Sequence, residues 1–219
     1  MLSNKSNKNI YRKTRFHDEK GNLIDFFGFL YSPLAFWGAT LRFLFDYRPK
    51  KPTISFRATR KIEKILKSSY SCVEFGSGMS TIWLAKRCKF LLSRENDPFW
   101  HDKISNYLEK NSITNIQYEL CDEKNFSLLS NFQDNFFDFA LIDGWDRAGC
   151  VASVLPKLKV GGWLYLDNSD KDMMYSNGDL RRAEKLILDY AKIKNKTPIY
   201  FVDFSRTNFF VEQGLLLQV

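Results

Sequence analysis

Residues 71–87, SCVEFGSGMSTIWLAKR, decide the fold. Cys72, Val73 and Phe75 sit in an apolar run of strand length, Gly76 and Gly78 break it, and STIWLAKR reads as the helix that follows. A buried strand that turns through glycine straight into a helix is the opening of a strand–helix alternation, and the alternation continues downstream. KFLLSRE (89–95) is a second strand, after which Asp97-Pro98 caps a helix with Trp100, Ile104, Tyr107 and Leu108 on one face. IQYELCD (116–122) alternates as a third strand, and FFDFALIDG (136–144) is a nearly continuous apolar fourth. A helix over Arg147–Leu158, broken near Pro156, leads to the fifth strand GGWLYLDN (161–168). Leu180, Ala183, Leu186, Ile187 and Tyr190 mark a last amphipathic helix. Strands buried on both faces and separated by helices predict a doubly wound α/β fold, with ligands at the carboxyl ends of the strands. PIYFVDF (198–204) and NFFVEQGLLLQV (208–219) are too closely connected for a parallel crossover, so they must pair antiparallel.

Working outward from that core, 219 residues suit one domain of ordinary size with room for an appendage. Cys72, Cys88, Cys121 and Cys150 lie far apart without a CxxC pair, which reads as reduced thiols of a cytoplasmic protein and excludes a disulfide framework or zinc module. The net charge of +8 is unevenly placed. Residues 1–67 hold fifteen Lys and Arg against five Asp and Glu, whereas residues 68–219 hold eighteen against twenty. A protein that grips nucleic acid through its whole fold would not divide its charge this way, so no nucleic-acid partner is expected.

The basic part divides the chain into a segment 1–52 and a domain 53–219. The first dozen residues are polar and expected to be mobile, with no secretory signal. From Leu23 to Phe45 the sequence is strongly apolar, but only sixteen uncharged residues separate Asp25 from Arg42. That is fewer than the roughly 20 needed to span hydrocarbon. Ser32-Pro33 reads as a cap and first helical residue of a helix to about Phe45. This helix packs on the main domain as a lid, lies on an anionic membrane surface, or spans the membrane; composition leaves the three open. Thr53 is expected to start a further helix.

Functional candidates belong where strands run out. Glu74, Gly76, Ser77, Gly78 and Ser80 surround the first turn, where glycine permits close approach of a ligand. Glu95, with Asn96 beside it, ends the second strand 21 residues after Glu74, a spacing suited to hydrogen-bonding ribose hydroxyls. Asp122, Asp143 and Asp167-Asn168 end the next three strands. A dinucleotide fingerprint would need glycine at Thr81, and the antiparallel terminal pair is foreign to that fold.

These motifs resemble the class I S-adenosylmethionine-dependent methyltransferases. VEFGSGMST is similar to their first motif, SRENDPFW to the acidic second-strand motif, FDFALIDG to the fourth-strand motif and LPKLKVGGWLYLDN to the entry into the fifth strand. The order EFGSG-MST, IDG, Arg147 and GG…DN resembles methyltransferase family 24, a small-molecule O-methyltransferase branch. The resemblance covers about residues 54–219 and implies a Rossmann-like seven-stranded sheet, mostly parallel, with the last strand inserted antiparallel between the fifth and sixth.

By that resemblance Glu74, Gly76, Ser77, Gly78 and Ser80 cradle the methionine part of S-adenosylmethionine. Glu95 and Asn96 hold the ribose, Asp122 the adenine amino group, and Asp143 also binds the cofactor. Asp143, Asp167 and Asn168 resemble the Mg2+ set of catechol-type O-methyltransferases. The family's Lys three residues after the first Asp is here Asp146, followed by Arg147. Asp143 and Arg147 are the catalytic candidates, Arg147 as an anion-binding group, since it cannot serve as a base near neutral pH. Trp145 is a candidate stacking surface, while His101 is expected at the surface. The expected acceptor is a small-molecule or glycan-type hydroxyl. A different class of function is a non-catalytic, peripheral membrane-surface module that kept the fold.

Overall fold

β1 (Ser71–Phe75) lies at the centre of the molecule because its side chains find apolar partners on both faces. Val73 and Phe75 point into one hydrophobic cluster and Cys72 into the other. The same period of two recurs in β4 (Phe137–Ile142) and β7 (Val211–Gln218). Ala140, Ile142, Leu215 and Leu217 face the first cluster, and Phe139, Leu141 and Leu216 the second. Strands with two buried faces need helices on both sides, and the remaining elements supply them.

The computed structural model describes residues 12–219, so most of the stretch expected to be mobile lies outside the described residues. The other strands are β2 (Phe90–Glu95), β3 (Ile116–Leu120), β5 (Leu158–Leu166) and β6 (Ile199–Phe204). They form one seven-stranded sheet in the order β3-β2-β1-β4-β5-β7-β6. β7 pairs antiparallel with both β5 and β6, and the other neighbours are parallel. The Rossmann-like, mostly parallel sheet with an inserted antiparallel strand is therefore as the sequence implied.

The helices are α1 (Phe26–Phe29), α2 (Ser32–Phe45), α3 (Phe56–Ile65), α4 (Met79–Ala85), α5 (Pro98–Lys110), α6 (Arg147–Val154) and α7 (Asp179–Ile193). α6 and α7 cover one face of the sheet; α3 and α4 cover the other, and α5 packs beside α4 through Ile104 and Leu108. α6 ends earlier than expected, because Pro156 tightens the chain into a 3-10 turn at Leu155–Lys157. α3 starts at Phe56, not Thr53, where the Ser55 side chain accepts from the Ala58 N–H at 3.1 Å. Ser32 is the first residue of α2 and does not cap it. The chain is already helical at Tyr31, whose N–H donates to the Gly28 carbonyl at the end of α1.

The described part of the N-terminal segment is tied to the far end of the sheet. The Val211 N–H donates to the Arg15 carbonyl at 2.9 Å, and Phe16, Ile24 and Ala35 join a cluster with Phe56, Phe204 and Val211. Lys20 bonds Glu184 of α7 and Gln213 of β7.

Candidate active site

The parallel strands end side by side, and register sets which side chains meet there. Glu74 pairs with Ser93 across β1 and β2, and Phe75 with Ile142 across β1 and β4. The chain then turns at Gly76, whose φ of +92° favours glycine. Gly76 also backs onto Gly144 so closely that an added Cβ would stand 2.6 Å from the Gly144 Cα. This glycine serves the packing of two strand-end turns against each other. Gly78 is less tightly confined: a Cβ there would meet Ser80 Oγ at 3.7 Å and Trp100 Nε1 at 3.9 Å, both ordinary contact distances.

Glu74 forms the floor of the bend and is fully buried. Its Oε2 accepts from the Ser93 and Thr81 hydroxyls, both at 2.6 Å, while Thr81 Oγ1 accepts from the Gly78 N–H at 2.9 Å. Oε1 accepts no well-formed hydrogen bond, although the Ser80 hydroxyl lies near enough to favour the charged form. Burial outweighs these hydroxyls and pushes the Glu74 carboxyl up to about 7.

Glu95 does not point into bulk water. Its Oε2 accepts from the Ser77 N–H at 3.0 Å and the Ser77 hydroxyl at 2.7 Å, and its Oε1 accepts from the Asn96 and Asp97 N–H groups. The carboxylate thus holds the glycine bend and its own loop together. The Ser77 contact is the one a sugar hydroxyl can exchange, because Ser77 Oγ also lies 2.7 Å from the Tyr118 hydroxyl. Asn96 is partly covered in the same loop. Asp122 is exposed and its Oδ1 accepts from the Asn125 backbone and side chain, leaving Oδ2 available at the rim.

Two further side chains shape the bend that sequence reading placed elsewhere. Trp100 Nε1 donates to the Ser77 carbonyl at 2.7 Å, although its spacing assigns it only to one face of α5. Side chains in the first turn of a helix lean back toward its N-terminus, which here means toward the end of β2. That rule is the signal that finds Trp100. Tyr118 carries no comparable sequence signal; it reaches Ser77 from β3 and stacks under His101 at 4.4 Å. His101 is therefore partly covered, not a free surface residue. Burial pushes the Tyr118 hydroxyl up, so it stays a neutral donor.

Asp143, Arg147, Asp167 and Asn168 do come together, but as an ion-paired cluster. Arg147 donates through Nη2 to Asp143 Oδ1 at 3.0 Å and to the Asp143 carbonyl at 3.1 Å. Its Nε reaches the Gly144 carbonyl and its Nη1 the Asp167 carbonyl, while both Nη atoms stand 3.5 Å from Asn168 Oδ1. The Asp167 carboxyl turns away, accepting from the buried Tyr165 hydroxyl at 3.0 Å. Burial and the neighbouring Asp143 charge push Asp167 well above the usual carboxylate range. These residues do not fit a divalent ion: a guanidinium already sits among the oxygens, and one carboxyl is engaged elsewhere. The expectation of Mg2+ at Asp143, Asp167 and Asn168 finds no support in this arrangement. Among the described residues no group of three or more His, Cys, Asp or Glu is arranged to hold a metal.

Asp143 itself is raised, first by burial, while Arg147 opposes the shift. Trp145 stands half-exposed two residues beyond it. The site thus offers a tied glycine bend with an unmatched carboxylate oxygen, and beside it a carboxylate clamped by arginine.

No protein-family model matches the chain, and no curated protein matches it. Solved structures do share its fold. An rRNA methylase from Streptococcus thermophilus is 16% identical with a TM-score of 0.53, the alignment covering 74% of this chain and 93% of that one. The TYW2 protein of M. jannaschii, solved in complex with AdoMet, is 16% identical with a TM-score of 0.51, covering 78% and 76%. A SAM dependent methyltransferase from Aquifex aeolicus is 10% identical with a TM-score of 0.53, covering 86% and 97%. At such identities the likeness shows the fold alone, and that fold is the Rossmann-like fold of S-adenosylmethionine-dependent methyltransferases.

Proposed function

We propose that this chain is an S-adenosylmethionine-dependent methyltransferase acting on a hydroxyl of a small-molecule or glycan-type acceptor, of the kind found in methyltransferase family 24. The observation that carries the reading is Glu74 Oε1, a buried carboxylate oxygen without a well-formed hydrogen bond, lying beneath the glycine bend at the end of β1. A native fold does not leave such an atom orphaned without reason, and an ammonium group is its natural match. Gly76, Ser77, Gly78 and Ser80 would then hold the methionine part, Glu95 and Asn96 the ribose, and Asp122 Oδ2 the adenine amino group.

When bound, the cofactor supplies an electrophilic methyl group. The chain's own work is to exclude water, to orient the acceptor and to take its proton. Asp143 is the proton acceptor in this reading: Arg147 fixes one oxygen, and burial raises its basicity above that of an exposed carboxylate. Arg147 stays protonated and steadies the carboxylate without serving as base. Trp145 offers a face on which a flat acceptor can stack. The near-neutral charge of residues 68–219 supports a small acceptor over a polyanion such as RNA.

Calorimetry with S-adenosylmethionine tests the cofactor arm. Binding is expected, with Glu95→Ala weakening it by about 1–3 kcal/mol. Absence of binding at high cofactor concentration overturns the reading. Release of S-adenosylhomocysteine with a hydroxylated acceptor separates an enzyme from a binding module that kept only the fold.

A further inference from the structure

α2 is apolar on every side yet covered on only one. Ala35 is its one buried residue, and an added Cβ at Gly38 would overlap the Arg206 carbonyl oxygen. Arg42, on the same side, donates to Thr207 Oγ1 and Asn208 Oδ1 at 3.2 and 3.1 Å. Small residues and one arginine thus seat the helix on the β6–β7 turn. The other sides, together with α1, present Phe26, Phe27, Trp37, Phe43, Leu44 and Phe45, with Phe43 88% exposed. A helix that is hydrophobic all round belongs in apolar surroundings, and a patch of this size marks an interaction surface.

The charges around the patch identify the partner. Arg60 lies over the Tyr31 ring at the start of α2, and exposed Arg15 lies over Phe209, whose ring packs on Phe36. Lys50 and Lys51 are exposed just beyond its end. The acids of the same region are occupied: Asp25 holds Arg57 at 2.6 Å, and Asp46 engages Arg48 and Lys103. An apolar centre with a cationic rim complements anionic lipid headgroups over acyl chains. A symmetric contact between two copies would set basic rim against basic rim. Fourteen residues make a helix of about 21 Å, short of the ~30 Å hydrocarbon core. No helix among the described residues is long and apolar enough to cross a membrane.

We infer that α1 and α2 form an interfacial anchor that lies in the plane of an anionic lipid surface, its aromatic side chains in the acyl boundary and Arg15, Arg60, Lys50 and Lys51 against the headgroups. The inference stands apart from methyl transfer, because vesicle binding and cofactor binding are read in separate assays.

The test is flotation of the full chain with vesicles of phosphatidylcholine alone, or with about a quarter phosphatidylglycerol, at about 0.1 and 0.5 M salt. The chain is expected to float with the anionic vesicles at low salt, and about tenfold less with neutral vesicles or at high salt. Phe43→Ser with Phe45→Ser is expected to lower flotation about tenfold while leaving circular dichroism and cofactor binding unchanged. Brominated acyl chains should quench Trp37, and Trp37→Phe should remove that part of the quenching. A chain that stays at the bottom of the gradient with anionic vesicles at low salt overturns the inference. So does light scattering that shows a dimer dispersed by the Phe43→Ser/Phe45→Ser pair, which would make the face a contact between copies.

Discussion

Glu74→Gln should stabilise the cofactor-free protein at alkaline pH and flatten part of its pH dependence. Burial pushes the Glu74 carboxyl up to about 7, against an ordinary value of 4.5. The folded protein therefore binds the proton more tightly than the unfolded chain does. Its contribution is fully present below pH 4.5 and is lost as pH rises through 7, the opposite of an ion-paired carboxylate. Integrated from pH 5 to pH 8, the loss is about 2–3 kcal/mol. Asp143, Asp167, Asp203 and Glu212 are also raised, first by burial, and add slope of the same sign. Only the difference between wild type and variant therefore reports on Glu74. Urea unfolding at pH 5, 6, 7 and 8 gives that difference directly. The variant should gain on the wild type with each step, by about 2–3 kcal/mol over the range. Parallel curves for the two proteins would refute the claim that desolvation dominates at this carboxyl.

Arg147→Ala leaves Asp143 and Asn168 without their cation and should cost about 1–3 kcal/mol in urea unfolding. Added Mg2+ should leave the wild-type melting temperature unchanged, and a rise of several degrees would show that the guanidinium yields to an ion. Gly38→Ala should lower stability by about 1–3 kcal/mol, since the new methyl meets the Arg206 backbone and no flexible side chain. Thermal melts report the change. Trp100→Phe keeps the ring but loses the donor to the Ser77 carbonyl, so cofactor affinity should fall about fivefold or more with little change in melting temperature. Equal affinity would remove Trp100 from the bend.

The sheet was legible because its determinants are local. Apolar runs of strand length, glycine turns and the short 205–207 connection constrain topology wherever they occur, and Ser71–Phe75, Phe137–Ile142 and the β6–β7 pair followed from them. Helix starts were read less well, because capping depends on what precedes the helix. Tyr31 is already helical when α2 begins, and Ser55, not Thr53, reaches the open N–H group of α3. At the site, sequence placed Glu74, Glu95, Asp143, Asp167 and Asn168 at strand ends, but not the direction of their side chains. That direction is set by partners that strand-end spacing does not name, whether near or distant in sequence: Tyr165 turns Asp167, Ser77 turns Glu95, and Arg147 enters where an ion was expected.

Contacts between separate elements also tie the glycine bend to the exposed helix. The ring of Trp100, which holds Ser77 from one side, carries Arg48 and Lys103 over it, each at 4.9 Å. Both cations also meet Asp46, the left-handed residue that closes α2. One aromatic residue therefore separates the end of the apolar helix from the backbone proposed to hold the cofactor. Exposed ion pairs are weak by themselves, so this linkage rests on the ring, whose area and indole donor serve the two sides at once.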